Sequence, residues 1–315
     1  MPPRNTKFKL NTGAEIPAIG FGTWQDEQAQ EGAVLAALQA GYRHIDTAAI
    51  YGTEAAVGKA IKKSGIPREE LFITSKLWNN KHKPEDVEKA LDDSLKNLGI
   101  SYLDLYLMHW PVAFAPGDEA FPKDSSGKMK VVDIDYVDTY KAMEKLAMAG
   151  KTKAIGISNF SKAETERLLE NTSIVPAVHQ LELHPWLQQP SFVTFLKTKG
   201  IHITHYSSLG NQNESYKQDG KLLEAPALTA IGKKYNKSPA QVALVDQLTG
   251  WVAWGINEGH SVLVKSKTEQ RIKDNFQADF ELKAEDLQLV HEMDRQRRFN
   301  DASESFNYKF FSDLD

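Results

Sequence analysis

No cysteine occurs anywhere in the chain. Disulfides, thiolate metal sites and a cysteine nucleophile are therefore excluded together, and any chemistry must rest on oxygen and nitrogen side chains. Long apolar runs are also missing. None approaches the length needed to span a bilayer, and the opening MPPRNTKFKL lacks the apolar core of a secretory signal. A cytoplasmic protein without membrane association is expected, and the Asn-x-Ser/Thr triplets at Asn159, Asn171, Asn213 and Asn236 then read as unglycosylated chance matches. Charge of one sign is scarce as well. The formal net charge is -4 with the signs interspersed, so nothing marks nucleic acid as a partner. The phosphate-binding glycine signature is incomplete: Gly20-Phe21-Gly22-Thr23-Trp24 has two glycines after a strand-like run and no third, which argues against an open doubly wound dinucleotide fold.

What is present suits a soluble globular protein. Hydrophobic residues at 41% and charged residues at 25% are enough to build a large core under a polar surface, and 315 residues fit one α/β barrel, so residues 1–315 read as a single domain. Eight short apolar or β-branched runs, AIGFG, RHIDTA, LFITSKLW, LDLYLMHW, KAIGISNF, AVHQLEL, IHITHYS and SVLVKS, predict strands. Helical periodicity marks residues 27–40, 83–98, 137–149 and 161–170, with Gly41, Gly99 and Gly150 placed to stop helices. Eight β-then-α units imply parallel strands joined by helical crossovers, and the count favours a closed (β/α)8 TIM barrel. KFKLNTGAEIPAI reads as a β-hairpin that turns at Asn11-Thr12-Gly13 and plugs one barrel end. Three stretches break the pattern, 111–132, 208–224 and the tail after Asp294, and long loops of this kind are commonly functional.

In such a barrel the reactive residues lie at the C-terminal strand ends. Asp46 and Tyr51 follow the second strand in DTAAIYGTE, Lys76 closes the third and His109 closes the fourth. Taken singly, Asp46 reads equally as a capping carboxylate, Tyr51 as a rim residue, Lys76 as a surface amine and His109 as a core histidine. Together they form a proton-transfer set. A tyrosine can give its proton to a carbonyl near neutral pH when a lysine cation stabilises the phenolate; Asp46 would balance Lys76, and His109 would hydrogen-bond the carbonyl as negative charge develops on it. No metal is called for. Trp24, Trp78 and Trp110 fall at successive strand ends and predict the walls of an apolar substrate cleft, although core packing would place tryptophan there too. Lys265, Ser266, Lys267, Thr268 and Arg271 gather at a helix start after the last strand, a combination suited to a phosphate monoester; the plain alternative is a solvated basic helix face.

DTAxxYG, the strand ending in Lys76, LMHWP and GISNF, in order from GAEIPAIGFGTW to DNF at residue 276, resemble the aldo-keto reductases. The resemblance implies the tetrad Asp46, Tyr51, Lys76 and His109, with Tyr51 as general acid for reduction and base for the reverse oxidation of an alcohol. It implies NADPH as cofactor. Ser158, Asn159 and Gln180 would hold the carboxamide, with Tyr206 stacked on the ring, Ser207 and Leu209 at the pyrophosphate and Thr23 and Trp24 also in contact. Lys265 through Thr268 and Arg271 would meet the 2'-phosphate, and Asn275 the adenine. A charge-assisted bond of about 1.5 to 3 kcal/mol from Arg271 would favour NADPH over NADH roughly ten- to a hundredfold. The sequence departs from the family at Val264-Lys265-Ser266 and at Tyr206-Ser207-Ser208-Leu209, where proline is usual before Lys265 and at Ser208. It also departs in an apparent insertion near Val245 to Val252, expected to bear on the last strand and so on cofactor affinity. GINEGHSVLVKS and YSSLGNQNE resemble fungal glycerol dehydrogenase and glyceraldehyde or aldose reductase types, so a small carbonyl or polyol is the expected substrate of a monomer. Two alternatives compete. A short-chain dehydrogenase would need a Tyr-x-x-x-Lys pair, which is absent. A regulatory barrel that binds NADPH with little turnover would not need the intact tetrad.

Overall fold

The computed structural model describes residues 5–212, 220–244, 254–278, 280 and 282–311. A two-stranded hairpin, β1 (Lys7–Lys9) and β2 (Glu15–Pro17), comes first, paired antiparallel and closed by a turn in which Gly13 N donates to Leu10 O. Leu10 and Ile16 pack with Phe72, Leu105, Leu107, Ala154, Ala177 and Val178, several of them at the entry of the barrel strands, so the hairpin covers that end as expected.

Eight parallel strands then close a barrel: β3 (Ile19–Gly22), β4 (His44–Asp46), β5 (Phe72–Leu77), β6 (Leu105–Met108), β7 (Ile155–Ser158), β8 (Val178–Glu182), β9 (His202–Tyr206) and β10 (Ser261–Val264), each beside the next in sequence and β10 beside β3. Each lies inside one of the eight predicted runs. They are buried almost throughout, which is why they read as continuous apolar runs and not as alternating ones. Close packing inside the ring explains Gly20: a Cβ there would come within 2.6 Å of both the His44 ring and Leu263.

The outer layer includes α1 (Gln30–Ala40), α2 (Glu54–Ser64), α3 (Pro84–Leu98), α4 (Tyr136–Met148), α5 (Lys162–Asn171), α6 (Pro190–Thr198), α7 (Pro226–Tyr235), α8 (Pro239–Leu244), α9 (Trp254–Asn257), α10 (Glu269–Phe276) and α11 (Ala284–His291), followed by a short α12 (Ser303–Phe306) in the tail. The predicted helices at 83–98, 137–149 and 161–170 match α3, α4 and α5 within one residue, and Gly41 and Gly99 cap α1 and α3 in the left-handed conformation. The stretch at 27–40 opens with one 3-10 turn at Glu27–Ala29 before α1 begins. Ser161 and Glu164 start α5 as a reciprocal capping box.

The apparent insertion at Val245 to Val252 lies outside the described residues. The strand beyond it keeps its register, with Val262 opposite Ile19 and Val264 opposite Phe21, so Lys265 leaves the barrel beside the end of β3. At Ser208, where proline was the expected residue, the hydroxyl donates to His205 O (3.3 Å) and Leu263 O (3.4 Å), a tether between the β9 and β10 ends.

Candidate active site

Asp46 is the last residue of β4, and the chain after it is fixed by hydroxyls. Thr23 Oγ1 donates to Asp46 O (3.1 Å) and lies 3.2 Å from Thr53 Oγ1, which is also 3.2 Å from Thr47 Oγ1. Within this frame one 3-10 turn, Ala49–Tyr51, swings the Tyr51 ring over the barrel mouth. Lys76 arrives on β5 with its side chain wholly enclosed, at 0% exposure. Its ammonium donates to Asp46 Oδ1 (2.5 Å), Thr47 O (2.9 Å) and the Tyr51 hydroxyl (3.5 Å). His109 follows β6 and meets the Tyr51 ring edge-on, with centroids 5.7 Å apart. The four predicted residues therefore share one site at the C-terminal end of the barrel.

Their electrostatics follow from enclosure. Burial pushes the Tyr51 phenol above the usual tyrosine value, against the pull of the Lys76 cation, and Asp46 adds to the rise. Burial acts to lower Lys76, yet the charges of Asp46 and Tyr51 outweigh it and hold the ammonium above the ordinary lysine value. Burial, reinforced by Lys76 and His82, drops His109 well below the usual histidine range. The result is a protonated phenol, a protonated amine and a neutral imidazole.

The next ring of polar groups adjoins this set. Gln180 Nε2 donates to Asp46 Oδ2 (2.7 Å), so both carboxylate oxygens are used, one by Lys76 and one by Gln180. Asn159, in the left-handed region at φ 63°, donates through Nδ2 to His109 O (2.9 Å) and Ser158 Oγ (3.0 Å), while the Tyr206 hydroxyl donates to Asn159 Oδ1 (2.6 Å). Ser158, Asn159, Gln180 and Tyr206 thus come together beside the tetrad. Ser207 accepts from Asn300 Nδ2 (3.1 Å), and Leu209 packs on the core. Lys265, Ser266, Lys267, Thr268 and Arg271 form a separate, more exposed cluster at the start of α10, with Thr268 as its N-cap. Asn275 is buried on α10.

Trp78 and Trp110 belong to one apolar cluster with Phe114, Met129 and Phe310, and Phe306 from the tail meets both indoles edge-on at 5.9 and 5.3 Å. Trp24, two residues beyond the end of β3, is 46% exposed. Of the three predicted tryptophans, two share a wall.

Residues that sequence reasoning missed come from the tail. Glu182, buried at the end of β8, accepts from the backbone N–H groups of Phe299 (2.7 Å) and Asn300 (2.8 Å) and lies 3.0 Å from His184 Nε2. This clamp seats the tail so that Phe306 and Phe310 close the aromatic wall. A carboxylate inside the apolar run AVHQLEL is the signal that could have found it, since a buried charge needs partners. Among the described residues no helix is long and apolar enough to cross a membrane, and no group of three or more His, Asp or Glu side chains is placed to hold a metal ion.

A family model described as "Aldo/keto reductase family" matches residues 18–295. The chain is 46% identical over 299 residues to aldo-keto reductase family 1 member A1 of Xenopus tropicalis, an alignment covering 92% of this chain and 89% of the relative. It is 45% identical over 303 residues to a D/L-glyceraldehyde reductase of Hypocrea jecorina, covering 92% and 88%. Among solved structures, an aldose reductase from Schistosoma japonicum superposes with a TM-score of 0.87 at 36% identity, covering 99% of this chain and 98% of that one.

Proposed function

We propose that this chain, which belongs to the aldo/keto reductase family, reduces small aldehydes of the glyceraldehyde type to alcohols with NADPH, and reversibly oxidises the alcohols. The observation that carries the reading is the enclosed Lys76 ammonium, held between the Asp46 carboxylate at 2.5 Å and the Tyr51 hydroxyl at 3.5 Å.

The residues present fit a nicotinamide dinucleotide phosphate in two places. Ser158, Asn159 and Gln180 offer buried amide and hydroxyl groups beside the tetrad, suited to a carboxamide next to the flat Tyr206 ring. Lys265, Lys267 and Arg271 at the start of α10 offer the charge a terminal phosphate needs, with Ser266, Thr268 and Asn275 on the same stretch, and Thr23, Trp24, Ser207 and Leu209 complete the proposed contacts. When bound, the cofactor supplies the hydride.

The chain's own residues do the rest. Tyr51 donates its phenolic proton to the carbonyl oxygen. Lys76 stabilises the phenolate left behind, and Asp46 keeps the ammonium in place and charged. His109, neutral because it is buried, donates an N–H to the same carbonyl oxygen and so orients it without adding a competing acid. Trp78, Trp110, Phe306 and Phe310 exclude water from the far side of the substrate, and Trp24 stands at the rim. The relative named as a D/L-glyceraldehyde reductase supports a small hydroxyaldehyde as the first substrate to try. The reading takes residues 1–315 as one working domain, a cytoplasmic monomer.

Mixing protein, NADPH and glyceraldehyde and following NADPH absorbance tests it. Turnover is expected, and Tyr51→Phe, which removes one hydroxyl and keeps the ring, is expected to lower kcat by ~10²-fold or more with NADPH binding intact. Absence of turnover on a panel of aldehydes despite tight NADPH binding would replace this reading with a regulatory barrel.

A further inference from the structure

The connection from β3 to α1 carries an arrangement that the proposed reaction does not use. Gln25 and Asp26 both adopt left-handed backbone, with φ of 66° and 54°, and Gln30 Nε2 donates to Gln25 O (2.6 Å). The chain folds back after Trp24, and the Asp26 carboxylate reaches the loop that leaves the neighbouring strand β10. There Lys265 Nζ donates to Asp26 Oδ2 at 2.5 Å and Lys267 Nζ to Asp26 Oδ1 at 3.3 Å. These are two of the three cations assigned above to the cofactor's 2'-phosphate. The third, Arg271, donates to Thr268 Oγ1 (2.7 Å).

We propose that Asp26 is an internal stand-in for the 2'-phosphate, holding Lys265 and Lys267 while the cofactor is absent and surrendering them when NADPH loads, so that it sets affinity for NADPH and not for NADH. The inference rests on the reading of this cluster as the phosphate site. Two oxygens of one carboxylate engage two ammonium groups much as two phosphate oxygens would. A phosphate ester arriving between the same lysines brings up to two negative charges against one, and it repels the carboxylate it displaces. The exchange is feasible because these pairs are shallow: the side chains of Asp26 and Lys265 are each 30% exposed and that of Lys267 is 62% exposed. Two partly exposed pairs correspond to about three- to thirtyfold in binding once solvent screening is allowed for. NADH has no group that needs the lysines, so it binds without breaking either pair.

The test is Asp26→Asn in the full chain, with NADPH and NADH dissociation constants read from quenching of tryptophan fluorescence. We expect NADPH to bind about three- to thirtyfold more tightly to the variant and NADH to change by less than about twofold. Asp26→Glu should stay near the wild type. The gain should shrink in about 1 M salt, where the Debye length is about 3 Å. NADPH affinity that is unchanged or weakened in Asp26→Asn, in a wild type that prefers NADPH, overturns the stand-in and leaves the phosphate site standing. Equal wild-type affinity for NADPH and NADH, together with no loss in Lys265→Ala or Lys267→Ala, overturns the phosphate site and the stand-in together.

Discussion

Replacing Lys76 with methionine removes the buried cation while keeping a long apolar stem, and the structure sets the size of the effect. The ammonium lies 3.5 Å from the Tyr51 oxygen. At an effective dielectric of about 20, a full phenolate at that separation gains about 5 kcal/mol from the cation. Asp46 sits nearer the same ammonium, at 2.5 Å, and opposes its field at Tyr51, and only part of the phenolate charge has developed at the transition state. A net loss of about 1.5 to 3 kcal/mol is therefore expected, or roughly ten- to a hundredfold in kcat. The same loss should move the ascending limb of alcohol oxidation, for which Tyr51 is the proposed base, upward by about one to two pH units. Steady-state rates in both directions across pH measure both quantities. The variant also leaves Asp46 with Gln180 Nε2 as its remaining side-chain donor, so a lower melting temperature is expected as well. Binding of NADPH separates an inactive folded enzyme from an unfolded one. A folded Lys76→Met protein with kcat within about twofold of the wild type and an unmoved ascending limb of oxidation would refute the role given to Lys76.

Acid should destabilise the fold well before carboxylates titrate. Burial holds His44 at about 4 and His82, His179, His202 and His205 at about 3, all below the unfolded value near 6.5. With folded values depressed, the unfolded chain binds more protons between those limits. Stability is then full above pH ~6.5 and falls as pH drops, by up to ~1.4 kcal/mol per unit for each histidine. Thermal melts from pH 7.5 to 5 should show a steady decline, and a flat profile would contradict neutral burial. In the aromatic wall, Phe306→Ala removes edge-on contacts to Trp78, Trp110 and Phe114, each worth about 0.5 to 1.5 kcal/mol. KM for an apolar aldehyde should rise about fivefold or more with kcat for glyceraldehyde little changed; equal KM values would remove Phe306 from the substrate pocket.

The barrel was legible because its signals are local. Each strand is buried nearly end to end and so reads as an uninterrupted apolar run, and Gly41 and Gly99 terminate helices through backbone geometry that few other residues adopt. The four site candidates were legible because their motifs put Asp46, Lys76 and His109 at strand ends and Tyr51 in the turn that follows β4. The contacts that join these parts were not. Gln180 reaches Asp46 across 134 positions, and Glu182 receives the tail across 117 and 118, separations at which periodicity carries nothing.

Two lysine–carboxylate pairs of the same length, 2.5 Å, serve opposite ends in this reading, and burial is what separates them. Lys76 and Asp46 have side chains at 0% and 4% exposure, so parting them would strand a charge in a site with little water. Breaking such a pair costs about 3 to 5 kcal/mol, which suits a field that must stay fixed while a proton moves beside it. Lys265 and Asp26, each 30% exposed, lose at most about 1 kcal/mol on separation, because water and salt solvate either partner. A pair that weak can yield to an arriving phosphate. Depth in the barrel mouth thus decides which ion pair is permanent machinery and which is a placeholder, and a substitution that buried Asp26 more deeply would be expected to slow cofactor loading without touching the proton transfer.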